Sequence, residues 1–165
     1  MQVHGLMQNL SKEIKLLITA FVITLNIGFF TGVNFVKETS SFKTKGVEIN
    51  YLGNENDDEA DEMKFKKSKK EILTLIHNHI LSMSIIFFFL GGLLSLTSFN
   101  KKFKYFLMIE PFISIVLTFG GIYLLWSGMI WFKYIVVISG IAMTLTFILS
   151  SILILRETMF LTRKH

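Results

Sequence analysis

The chain has no cysteine and a single proline, Pro111, in 165 residues. The first absence excludes disulfides, thiolate metal sites and thiol nucleophiles. The second leaves long stretches without the residue that most strongly interrupts a helix. Evenly spread charge is missing too. Asp, Glu, Lys and Arg make up 18% of the chain and gather in a few blocks with apolar runs between them. There is no H-E-x-x-H, no G-x-S-x-G and no phosphate-binding Gly-rich loop, so hydrolase and transferase readings find no support. No aromatic-interleaved basic patch stands apart from the apolar runs, which sets nucleic-acid binding aside.

What the chain has is apolar side chains: 52% of residues are hydrophobic and 17 are Phe. A hydrocarbon layer about 30 Å thick asks for about 20 apolar residues per helix. Four runs meet that requirement, over 14–36, 72–99, 105–126 and 130–155. They predict an all-α membrane protein, a single membrane domain over 1–165 arranged as a four-transmembrane-helix up-down-up-down bundle. The first run is too long for the apolar core of a signal peptide, and no A-x-A pattern follows it, so it reads as an uncleaved helix. Its required partner is the lipid bilayer. Small residues on the runs, Gly28, Gly32, Gly91, Gly92, Gly120, Gly121 and Gly140, are candidates for close helix packing. Asn26 and Asn34 are polar residues expected to hydrogen-bond within the bundle.

The segment 37–71 is polar and reads as a long solvated loop. An acidic block, 55–62, precedes a lysine-rich block, 64–70. The acidic block lacks the spaced ligands and central Gly of a Ca²⁺ loop. A connection this long in a small bundle is functional or mobile. Lysine counts hardly orient the chain. With both termini in the cytoplasm, Lys and Arg number eight inside and nine outside. The nine outside are offset by nearby acids, whereas the inner patches are almost unopposed. That favours cytoplasmic termini in the cell's inner membrane. Trp126 and Trp131 flank the third connection, as interfacial aromatics do.

Ionisable residues inside an apolar run are costly and mark candidate sites. His77 and His79 are two such residues, and neutral imidazole ligates metals and haem. At about 100° per residue, positions i and i+2 point to nearly opposite sides of a helix. The pair therefore cannot grip one ion together unless the helix is distorted, although each ring could serve a separate cofactor. Met83 follows His79 by four residues and shares its face. Glu110 precedes Pro111, where a kink is expected. A carboxylate there needs hydrogen-bonding partners or a proton. Lys101, Lys102 and Lys104, or Asn and Ser side chains of neighbouring helices, are the candidates. Glu110 and the histidines fall in opposite halves of the bundle, which argues against one compact catalytic site.

The stretch His77-Asn78-His79-Ile80-Leu81-Ser82-Met83 resembles the His-x-His stretch of the tenth helix in haem–copper oxidase catalytic subunits. The resemblance covers about fifteen residues and implies, for His77 and His79, axial ligation of two different haems. It also implies that the pair lies toward the outer surface. The chain's other histidines are His4 and His165, too few for a complete oxygen-reducing site. What the resemblance leaves open is a b-type haem shared between copies, with His77, His79 or Met83 as ligands, or a metal at the two histidines. The chain as a whole also resembles small four-helix bacterial membrane proteins with the same entry to their second helix. Three functional readings follow. One is a redox-associated or accessory protein holding haem b. Another is a non-catalytic structural or assembly module that joins a homo-oligomer or a respiratory or other membrane complex. The third is a small proton-conducting or transport protein built around Glu110 and Asn26.

Overall fold

The computed structural model describes residues 4–55, 57 and 62–159. A 3₁₀ turn, Leu6–Asn9, precedes five helices: α1 (Lys12–Ser40), α2 (Thr44–Leu52), α3 (Lys69–Ser95), α4 (Lys101–Trp126) and α5 (Phe132–Met159). Four of them, α1, α3, α4 and α5, are long and apolar enough to cross a membrane. Each helix frees a handful of end N–H groups that hydrocarbon cannot satisfy. The sequence answers with polar caps just outside the apolar runs. Ser68 and Glu71 form a reciprocal capping box at the start of α3. The Asn100 side chain accepts from the N–H groups of Lys102 and Phe103 at the start of α4, and Ser11 caps α1. Because these caps lie beyond the apolar residues, α1 begins two residues before the expected run and α3 begins three before it.

The largest departure from the sequence reading lies in 37–71. That segment is not one solvated loop. Helix α1 continues to Ser40, a separate helix α2 follows, and α3 is already under way at Lys69. Most of the acidic block falls on 56 and 58–61, outside the described residues, as do Arg163, Lys164 and His165 of the basic tail.

Helices α4 and α5 form the centre. Within their most apolar windows 44% and 39% of residues are buried, against 11% for both α1 and α3. The contacts of α4 and α5 step antiparallel along small residues. A Cβ added to Gly121 would lie 3.0 Å from Val136, Thr118 meets Ser139 at 2.7 Å, and Thr146 meets Glu110 at 2.5 Å. Small side chains let the two backbones approach, which is how membrane helices gain dispersion energy when no hydrophobic effect separates helix from lipid. Pro111 sits buried inside α4, and the helix runs through it without a break. The proline only withholds the N–H that the Leu107 carbonyl would otherwise receive. Helix α1 leans on α5, with Phe29 stacked on fully buried Phe147 at 3.7 Å.

At one end of the bundle α2 is fastened across the tips of α4 and α5. The chain turns from α1 into α2 through Ser41 and Phe42, both left-handed at φ 52° and 55°. Such backbone is costly for residues with a Cβ and persists only where surrounding contacts enforce it. Gly46 is one such contact: a Cβ there would collide with the Ser40 carbonyl. The Lys133 ammonium reaches Glu48 at 2.6 Å, the Trp126 indole N–H donates to the Lys67 carbonyl at 2.8 Å, and Lys66 lies over the Trp126 ring at 5.2 Å. Gly53, at φ 79°, turns the chain so that the Asn54 N–H donates to the Lys64 carbonyl at 2.9 Å. We refer to this assembly as the cap. Burial beneath it pushes the Tyr51 phenol up to about 12.

Two outcomes follow for the cap. Gly46→Ala should separate α2 from the end of α1, raising hydrogen exchange through 44–52 while the four long helices keep their helicity by circular dichroism. The Tyr51 phenol ionises later in the folded chain than in the unfolded one. Its contribution to cap stability is therefore complete below pH 10 and is lost between about pH 10 and 12. A spectrophotometric titration at the phenolate band should lose its latest-titrating tyrosine in Tyr51→Phe.

Candidate functional sites

Glu110 occupies the α4–α5 seam. Ser114, one turn on in α4, donates its hydroxyl to Oε1, and Thr146 of α5 donates to Oε2 at 2.5 Å. The lysines of the first α4 turn are not its partners. A further turn along, Thr118 and buried Ser139 share a hydrogen bond, and Ser139 also donates to the Ile135 carbonyl of its own helix. Glu110, Ser114 and Thr118 recur every four residues, so one face of α4 carries the polar lane. The lane joins two helices and ends among apolar side chains. Its chemistry is that of a polar seam in a greasy interface.

The histidines stand elsewhere. His77 and His79 are both exposed at the cap end of α3. The His79 ring lies 5.1 Å from that of Phe119 on α4. Its Nδ1 is 2.8 Å from the Leu75 carbonyl. A carbonyl only accepts, so Nδ1 carries a proton, and whenever the ring is neutral the lone pair is on Nε2. This is the tautomer that a metal- or haem-ligating histidine uses, with the other nitrogen tied to backbone. Met83 packs partly buried against the core. His4 is at the other end of the bundle, beside Lys104. Among the described residues no three His, Cys, Asp or Glu side chains gather as a metal site. Asn26 donates to the Val22 carbonyl of its own helix at 2.7 Å, and Asn34 is exposed.

Two of the seven candidate packing glycines meet neighbouring side chains. Gly121 approaches Val136, and a Cβ on Gly91 would lie 3.7 Å from Met108. Around Gly28, Gly32, Gly92, Gly120 and Gly140 a Cβ would meet nothing within 4 Å. Among the described residues, the Gly28-x-x-x-Gly32 pair thus makes no close approach to a neighbouring helix.

A cluster that the sequence reading missed closes the end opposite the cap. The Lys104 ammonium is buried and donates to the carbonyls of Ser95 at 2.9 Å and Thr97 at 2.5 Å, with His4 Nδ1 at 3.1 Å. Ser95 is the last residue of α3 and Thr97 lies just past it, at the helix end where a cation is favoured by the dipole. Lys15, also buried, donates to the Gln8 carbonyl at 2.8 Å. Buried Glu157 accepts from the Ser98 N–H at 2.7 Å and its hydroxyl at 2.5 Å. The 3₁₀ turn is thereby pinned beneath the bundle, where Met7 is fully buried and its N–H donates to the Leu96 carbonyl at 3.0 Å. The sequence held one signal for this cluster. Lys104 and Glu157 lie within a turn of the ends of apolar runs, the depth at which charged side chains cap helix termini.

A family model described as a transmembrane helical domain matches residues 41–165. No curated protein and no solved structure matches the chain. The matched region starts at the left-handed residue that ends α1 and takes in the cap and α3 to α5.

The seam predicts a ranking of variants in equilibrium unfolding from mixed micelles. Glu110→Gln retains an acceptor and should stay within about 1 kcal/mol of the native chain. Glu110→Ala strands two hydroxyls and should cost about 1–3 kcal/mol. Thr118→Val, which removes one interhelical hydrogen bond, should cost about 0.6 kcal/mol.

Proposed function

The chain belongs to a family of transmembrane helical domains, and on that premise we propose that it is a non-catalytic membrane module that presents a fixed polar cap to a protein partner at one membrane surface. The observation that carries this reading is the fastening of the cap. An unconstrained loop of this length would lose much conformational entropy on binding. Among the described residues of the cap, contacts that supply such ordering are already made. Glu48 is bonded to Lys133, Lys67 to Trp126, and the Asn54 side chain bridges the Glu62 carbonyl and the Lys64 N–H at 2.9 and 2.6 Å. The cap surface mixes Lys43, Lys45, Glu55, Asp57, Glu62 and Lys66, all exposed. A surface of that kind recognises charge complements and fixes register on a partner. The seam around Glu110 and the cluster around Lys104 hold the helices in place beneath it.

A second reading rests on one observation, the contact of His79 Nδ1 with the Leu75 carbonyl. It leaves Nε2 able to ligate a b-type haem whose other axial ligand comes from a second copy. In that reading the protein is a redox-associated accessory protein of a membrane complex.

The two readings separate in the laboratory. Lys133→Ala together with Glu48→Ala should loosen the cap and reduce affinity-tagged recovery of a membrane partner, with the bundle still folded in detergent. Unchanged recovery removes the basis of the first reading. The second predicts a Soret band in protein from haem-replete cells that is lost in His79→Ala, and a colourless native preparation contradicts it.

A further inference from the structure

Helices α1 and α3 touch unevenly along their length. Phe21 and Phe89 meet edge-on at 6.4 Å. Toward the cap a groove of about 460 Å³ opens between Phe35 of α1 and the first three turns of α3. Its α3 wall carries Lys70, Thr74 and Asn78 at steps of four residues, beside Leu75 and His79. Residues four apart lie one above another on a helix, so this row runs down one face. It spans about 12 Å at 1.5 Å per residue. The row is graded, with a cation at its rim, then a hydroxyl, then an amide, and apolar side chains beside and below. Glu71 also lines the groove, and its Oε2 is held at the helix start, accepting from the Ser68 N–H at 2.8 Å and its hydroxyl at 2.7 Å. Its carboxylate stays charged, but Lys69 and Lys70, both exposed beside it, outnumber it and leave this stretch of the rim net cationic.

We propose that this groove seats one anionic phospholipid from the leaflet on the cap side. The lipid phosphate lies at Lys70. The ester region lies at the depth of Thr74 and Asn78, where hydroxyl and amide donors face its carbonyls. An acyl chain runs along Phe35 and Leu75 toward the Phe21–Phe89 contact. The gradation selects this occupant. A transmembrane helix from a second copy would set apolar side chains against Lys70 and Asn78 and leave both without partners. A phospholipid carries its polarity in the order that the wall carries it. A juxtamembrane Lys is worth about 1 kcal/mol toward an anionic surface, which is about fivefold in affinity.

The test is native mass spectrometry of the delipidated full chain titrated with phosphatidylglycerol or phosphatidylcholine in detergent. The expected result is one tightly held phosphatidylglycerol per chain, retained in preference to phosphatidylcholine. Lys70→Ala should weaken it about fivefold, and Asn78→Leu should weaken both lipids. Lys101→Ala, at the other end of the bundle, should leave binding unchanged. Circular dichroism melting of each variant separates a lost site from a lost fold. Lys70→Ala and Asn78→Leu variants that melt like the native chain and bind phosphatidylglycerol equally well would overturn the proposal. So would a crosslink between copies through a cysteine placed at Phe35, or a haem on His79 that fills the groove.

Discussion

Hydrocarbon offers a peptide group nothing to hydrogen-bond with, and every feature of this fold answers to that. Four long helices satisfy their own backbones through the interior. Their ends are the difficulty, because the terminal N–H and C=O groups have no partner within the helix. The protein resolves the ends with side chains kept just beyond the apolar runs: Ser11, Ser68 with Glu71, and Asn100 at helix starts, and the Lys104 ammonium on the carbonyls at the end of α3. Burying Lys104 is tolerable because its ammonium is held by two carbonyl acceptors, with His4 Nδ1 beside it. The same requirement draws the 3₁₀ turn under the bundle, where its backbone pairs with the carbonyls of Leu96 and Thr97.

Within the bundle the helices have unequal roles. The α4–α5 seam is made of small and hydroxyl-bearing residues, while α1 and α3 turn most of their surface outward. The cap rests on the tips of the seam helices through Lys133 and Trp126, so the firmest pair of helices carries the polar surface. Helix α1 precedes the family-matched region. It packs on α5 through Phe29 and borders the groove through Phe35. Its Ile18 and Val22 are part of the buried core, while the rest of its surface forms a lateral face of the bundle.

Hydropathy alone made the four crossings legible, since 17 Phe and the long aliphatic runs leave no other solution. Helix ends were less legible, because Ser68, Glu71 and Asn100 lie in polar sequence that hydropathy assigns to loops. Helix α2 was hidden for a related reason. Thr44–Leu52 has weak amphipathic character, and its position depends on Glu48 finding Lys133 eighty-five residues away. Glu110 stood out as an acid in an apolar run, but its partner Thr146 could not be chosen from the sequence. That pairing depends on the antiparallel register of α4 and α5, which Gly121 against Val136 helps to set. The bond from His79 to Leu75 is local and could have been read from their spacing of four.

The central claim is that the cap and the Lys104 cluster lie on opposite sides of a bilayer, joined by helices that cross it. The cysteine-free chain permits a direct measurement. Single cysteines at Lys45, in the cap, and at Lys102, at the other end, are exposed to a membrane-impermeant thiol reagent in sealed vesicles of one orientation. The account predicts that one of the two is labelled before the vesicles are opened and the other only afterwards. Labelling of both from the same side would contradict it.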